Sequence, residues 1–144
     1  MNKLETLSQP WVQELLNQPV LARLGTSNPE NGQPHVTPVW FAWDGEAALI
    51  SVFITTRKAR EAERNPLISL LIDTGNPGEP TQAVLLEGQV EMIANPEQVK
   101  ILAEQIYMRY AGPDGLDADM RSWVADPDNR ILRLVPEKVY AWGW

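Results

Sequence analysis

His35-Val36-Thr37-Pro38-Val39-Trp40-Phe41-Ala42-Trp43, then Asp44-Gly45, then the run from Ala47 to about Phe53, is the stretch on which the fold turns. Residues 35–43 are rich in β-branched and aromatic side chains and read as one strand. Asp44-Gly45 is a hairpin signal, so the strand from Ala47 returns antiparallel to it. Near its end the first strand is apolar on both faces, with Val39 and Phe41 on one side and Trp40 and Ala42 on the other. One face belongs to a barrel core; the other needs a cover from beyond that core, either a partner subunit or a flat ligand. Pro38 has no N–H to give to a ladder, which puts it at an edge or beside a gap in the sheet.

Outward from this stretch the chain alternates strands with a few helices. Residues 20–26 read as a strand, followed by a turn at 28–33. Before it comes a short helix to about Asn17, with Ser8 as N-cap and Pro10 in the first turn. A helix over 57–64 stops at Asn65-Pro66, because the residue before proline is pushed out of the α region. Strands follow over 67–73 and 82–93, the latter with Gly88 as a candidate bulge. Asn95, Pro96 and Gln98 mark the start of a helix to about Ala111 that buries Val99, Leu102, Ile106 and Tyr110. A short helix around Met120 to Trp123 precedes strands over 131–135 and 138–142. Six or so strands joined mainly by hairpins predict a mainly β domain with peripheral helices, an antiparallel barrel over residues 1–144. The regular helix-strand alternation of a doubly wound α/β sheet is missing.

Composition narrows the chemistry. In 144 residues there is no cysteine and one histidine, His35, which removes thiolate nucleophiles and disulfides and limits triads and metal centres. A formal net charge of -7 opposes nucleic acid and anionic membranes as partners. With no apolar run of about 20 residues and no basic-then-apolar start, the expected location is the cytoplasm.

Thr56-Arg57-Lys58 opens the helix over 57–64 with Arg57, Lys58 and Arg60 in its first turn, and Glu61 and Glu63 come later. Helix N-termini favour acids and disfavour cations, so this order suits an anion such as a phosphate bound there. Ion pairs of Arg57 with Glu61 and Arg60 with Glu63 on a solvated helix explain it equally well. Six tryptophans include the close pairs Trp40 with Trp43 and Trp142 with Trp144. Each is a core residue by default, yet an aromatic sheet edge also suits a flat, polar-edged ring such as an isoalloxazine. His35 is read as a polar residue near a strand start, and the aspartates at 114, 117, 119, 126 and 128 as a solvated loop, since their spacing is not that of an EF-hand. Missing acid-base groups are compatible with redox chemistry that a cofactor carries out itself.

The order Leu24-Gly25-Thr26, Gly32 to Phe41, Asp44-Gly45, Leu49 to Val52, Arg57-Lys58-Ala59-Arg60 and Asn65 to Leu70 resembles the pyridoxamine 5′-phosphate oxidase-like family of FMN-binding split barrels. The likeness is to its short members, which use FMN or the deazaflavin coenzyme F-420. It implies a homodimeric split barrel, with the cofactor site at the subunit interface and a small organic molecule as substrate. Thr56, Arg57 and Lys58 fall where that family clamps the cofactor phosphate. Val39 and Trp40 would meet the ring through their backbone, and Ser51 and Val52 would touch it from the next strand. Trp142 matches a tryptophan presented by the second subunit. Val52 replaces a hydroxyl residue of the vitamin-forming enzymes and Ala83, beside Gln82, lies near a position where they use glutamine, so the likeness carries the cofactor site and not vitamin B6 oxidation. The resulting expectation is an FMN-dependent oxidoreductase; the alternatives are a deazaflavin-dependent reductase, with Arg60, Arg130 and Arg133 along a longer tail, or a flavin carrier without turnover.

Overall fold

A computed structural model describes residues 1–144. Helices α1 (Lys3–Leu7) and α2 (Pro10–Leu16) lead into strands β1 (Ala22–Ser27), β2 (Pro34–Val39), β3 (Phe41–Trp43) and β4 (Ala48–Phe53). Helix α3 (Arg57–Arg64), strands β5 (Leu67–Thr74) and β6 (Gln82–Ile93), helices α4 (Pro96–Met108) and α5 (Ala118–Ala125), and strands β7 (Asn129–Leu134) and β8 (Lys138–Gly143) complete the chain. No helix is long and apolar enough to cross a membrane.

Ser8 is not the cap of the second helix. It closes α1, donating its hydroxyl to the Glu5 carbonyl at 2.7 Å, and α2 opens on Pro10 without a side-chain cap. The unforeseen α1 is held by Asn2 and Glu5 in a capping box.

All strand pairs are antiparallel, in the order β2-β1-β5-β6-β7-β4-β3, with β8 beside β6. Eight strands form where six or so were expected. One reason is that the run over 35–43 breaks at Trp40 into β2 and β3, which lie at opposite ends of that order. The barrel is therefore joined through the covalent chain at Trp40 and is open in its hydrogen bonding there, which makes it a split barrel. Pro38 sits on the free edge beside this opening, where its missing N–H costs no ladder bond. On the other side of the opening β3 pairs only with Ala48 to Ile50, so Ser51, Val52 and Phe53 are bonded to β7 alone.

Gly88 is not a bulge, because β5 pairs with β6 residue for residue from Leu67↔Gln89 to Thr74↔Gln82. It marks the place where β6 exchanges β8, paired over 82–87, for β7, paired over 90–93. A Cβ there would stand 3.1 Å from the Glu137 nitrogen and 3.2 Å from the Val135 oxygen, so the corner requires glycine's close approach.

A core of 21 buried residues, including Phe41, Ile50, Leu70, Leu86 and Leu132, fills the barrel. A second cluster lies outside it, where Ala42, Leu49 and Ile131 meet Val99, Ala103, Ile106 and Tyr107 of α4 and Val124 of α5. The outer face of the two-faced strand is thus covered largely from within the chain, by α4 and α5, with Ala42 buried against them and Trp40 left partly open. Within α4, Ala103 and Tyr107 are buried where Leu102 and Tyr110 were expected. The helix ends at Met108, so Tyr110 leaves it and lies flat on Trp40, ring centroids 4.8 Å apart at 6°.

Candidate functional site

At the split, a groove of about 370 Å³ is lined by Leu21, Pro38, Val39, Trp40, Ser51, Val52, Phe53, Thr56, Lys58, Tyr107 and Trp123. Its walls follow from the topology. Pro38, Val39 and Trp40 are the chain crossing the opening, Ser51 to Phe53 are the unpaired edge of β4, and Thr56 and Lys58 begin α3 at one end. Trp40 is fixed by aromatic contacts on several sides: the stack on Tyr110, and edge contacts with Tyr107 at 5.5 Å and Trp123 at 6.4 Å. Such a surface suits a flat, mostly apolar ring system.

Thr56 caps α3, accepting from the Ala59 amide and donating to the Phe53 carbonyl at 2.7 Å. Lys58 lines the groove, and its ammonium has no hydrogen-bond or ion-pair partner in the chain; the ion pairs of the protein engage Arg23, His35, Arg57, Arg64 and Arg133 instead. Burial holds its pKa below the ordinary lysine value. A half-buried, unpaired cation at the start of a helix with no acid in its first turn is a ready donor for an anion.

Of the residues named from the sequence, Val39, Trp40, Ser51, Val52, Thr56 and Lys58 meet in this groove. Arg57 does not. Its Nε is 3.2 Å from Glu61, the ion pair that competed with the phosphate reading, and it faces a separate polar concavity with Asn28, Arg60 and Arg64. Arg60 does not pair with Glu63, and neither Arg130 nor Arg133 reaches the groove: Arg130 donates to the Pro127 and Asn129 carbonyls, and Arg133 faces Glu46. Trp142, 44% exposed, lies away from the groove in the same subunit, stacked on Tyr140 with centroids 6.2 Å apart. Tyr107 and Trp123 were missed as lining residues. Tyr107 shares the stripe of Val99, Ala103 and Ile106 at i, i+4, i+7 and i+8, so helical periodicity carried its signal.

Behind the helix start, Glu61 is only 5% exposed. Burial alone would raise its pKa, but hydrogen bonds from Thr26 and Arg57 and the charges of Arg57 and His35 bring it below the usual carboxylate value. A depressed folded pKa stabilises the fold above the unfolded pKa of about 4.3, and that contribution is lost as pH falls through the folded value. Glu61→Gln should lower stability at neutral pH by about 1–2 kcal/mol, the difference between charged and neutral hydrogen bonds. The gap to wild type should close in acid; urea unfolding of both at neutral and acidic pH checks this, and a pH-independent gap counts against it. His35, whose Nδ1 lies 3.3 Å from Glu61, belongs to this buried network and not to the groove.

A family model described as pyridoxamine 5′-phosphate oxidase matches residues 9–143. No curated protein sequence matches the chain. Among solved structures, a conserved hypothetical protein from Mycobacterium tuberculosis superposes with a TM-score of 0.76 at 25% identity, covering 99% of this chain and 84% of the other. An F-420 reductase gives 0.71 at 25% identity, covering 89% and 94%. An FAD-binding protein from Mesorhizobium loti gives 0.68 at 17% identity, covering 100% and 96%, a likeness of fold alone. With its antiparallel split barrel and a family match over nearly its whole length, the chain belongs to the pyridoxamine 5′-phosphate oxidase family of flavin-binding split-barrel proteins.

Proposed function

We propose that the groove binds a flavin-type cofactor, FMN in the first instance, and that the chain acts as one unit over residues 1–144 in an oxidoreductase acting on a small organic molecule. The observation that carries the reading is Lys58. An unpaired, half-buried ammonium at one end of an aromatic groove matches a ligand with a flat ring at one end and a phosphate at the other. The bound cofactor supplies the hydride chemistry; the chain binds and orients it. Lys58 holds the phosphate, Val39 and Trp40 bound the ring on one side, and Ser51 and Val52 bound it on the other. Thr56 keeps the helix start in place. A second copy of the chain completes the site with Trp142, a reading supported by the exposed aromatic ridge of Tyr140, Trp142 and Trp144.

A deazaflavin-dependent reductase is the second reading. It is favoured by the likeness to an F-420 reductase and by the polar concavity of Arg57, Arg60 and Arg64 beside the helix start, which suits a longer anionic tail. Titration of the purified, ligand-stripped protein with FMN and with the deazaflavin coenzyme, followed by quenching of tryptophan emission, tests both. Saturable quenching by one of them is expected, since Trp40 and Trp123 line the groove; quenching by neither overturns the redox assignment. Reduction of the bound cofactor by a nicotinamide, then reoxidation on an added acceptor, separates an enzyme from a carrier.

A further inference from the structure

The groove floor holds a chain of hydrogen bonds that none of the preceding roles uses. Ser51 Oγ donates to Asn129 Oδ1 at 2.7 Å and lies 3.1 Å from the Tyr107 hydroxyl, while Asn129 Nδ2 donates to the Trp123 carbonyl at 3.3 Å. Asn129 is 2% exposed, so its amide has no water to turn towards.

The direction of every proton follows from donor and acceptor chemistry. The Trp123 carbonyl can only accept, so the Asn129 NH₂ must face it and Oδ1 must face Ser51. Oδ1 can only accept, so the single Ser51 proton goes to it. Ser51 Oγ is then an acceptor towards Tyr107, and the phenolic proton of Tyr107 is committed to Ser51. The Tyr107 hydroxyl makes no other hydrogen bond within the chain, and burial raises its pKa, so it remains a neutral phenol. The hydroxyl keeps one lone pair that no group of the chain engages, and Tyr107 and Ser51 both line the groove.

We infer that Tyr107, oriented by Ser51 and Asn129, is a specificity-determining residue that presents a hydrogen-bond acceptor to the groove and so selects a ligand with an N–H or O–H donor at that edge. The inference rests on the proposed flavin reading for its ligand. The oxidised isoalloxazine ring carries one ring N–H, at N3, among several acceptors, so the relay discriminates between flavins with and without that proton. An acceptor-only edge at this place would leave two oxygens facing each other without a proton, and sites built on buried polar groups reject such mismatches strongly.

Two measurements test it. Joint neutron and X-ray refinement of ligand-free crystals is expected to show the Tyr107 deuteron directed to Ser51 Oγ and the Ser51 deuteron directed to Asn129 Oδ1. A Ser51 deuteron on the Tyr107 oxygen overturns the inference. In solution, wild-type protein is expected to bind FMN at least about tenfold more tightly than 3-methyl-FMN, a loss in the range of one buried hydrogen bond. Tyr107→Phe removes the acceptor and should bring the ratio close to one; Ser51→Ala frees the phenolic proton, so the hydroxyl can donate as well as accept and the ratio should fall part of the way. A wild-type ratio near one, or an unchanged ratio in Tyr107→Phe, overturns the inference. Binding of neither probe overturns the flavin reading of the groove, and the deuteron positions then decide the relay by themselves.

Discussion

Lys58→Ala should weaken FMN binding by about ten- to a hundredfold, since a charge-assisted hydrogen bond contributes about 1.5–3 kcal/mol and each 1.4 kcal/mol is about tenfold in affinity. Riboflavin, which has the same ring and no phosphate, should lose little. The contrast isolates the anion contact from the ring contact. Arg57→Ala should cost at most about fivefold, because its guanidinium is held by Glu61 and faces a different concavity. The pH dependence has a definite sign. Burial lowers the Lys58 pKa, so the ammonium is lost earlier than usual as pH rises, and FMN affinity falls through that value. A bound phosphate pulls the pKa back up, so binding on the alkaline side takes up protons. Fluorescence titrations of wild type and both variants across pH give all of these quantities. Unchanged FMN affinity in a folded Lys58→Ala protein would remove the phosphate assignment.

Phe41→Ala should be the most destabilising single change, at about 3–5 kcal/mol out of a typical domain stability of about 5–15 kcal/mol. The ring is 0% exposed in the barrel core, immediately after the Trp40 break, and the Arg109 guanidinium carbon stands 4.8 Å from its centroid. Its backbone is held separately: the amide donates to the Tyr110 hydroxyl at 3.2 Å and the carbonyl accepts from Arg109 at 2.6 Å. Alanine keeps those backbone contacts, so the loss reports the ring alone. Phe41→Leu, which retains most of the buried volume, should cost far less. Midpoints of urea unfolding measure both; a loss below about 1 kcal/mol for the alanine variant would contradict the packing described for this strand.

Much of the architecture was legible because it is written in local chemistry. Asp44-Gly45 set the β3-β4 hairpin, with Gly45 at a φ of 98° that other residues rarely adopt. Asn65-Pro66 ended α3, and Asn95 with Pro96 began α4. Pro38 marked the opening of the barrel. The basic order at the start of α3 left an anion and ion pairs as open readings, and the i,i+4 spacing of Arg57 and Glu61 already contained the pair that turns Arg57 away.

What lay beyond the sequence depended on which surfaces meet. Strand periodicity showed that the outer face bearing Trp40 and Ala42 must be covered, but helices α4 and α5, more than fifty residues on, supply the cover, and no local spacing encodes that meeting. The same holds for the break at Trp40, which follows from the closure of a twisted sheet and not from any residue's propensity, and for the groove floor, where Ser51, Tyr107 and Asn129 come from three separate elements. By itself the sequence determined an acidic, cysteine-free, mainly β chain with its turns, several of its caps and a cluster of cations, Arg57, Lys58 and Arg60, at a helix start. Only the tertiary structure decided which of those cations lines the groove and which polar groups meet beside it, because those depend on packing and on mutual hydrogen-bond satisfaction between groups far apart in the chain.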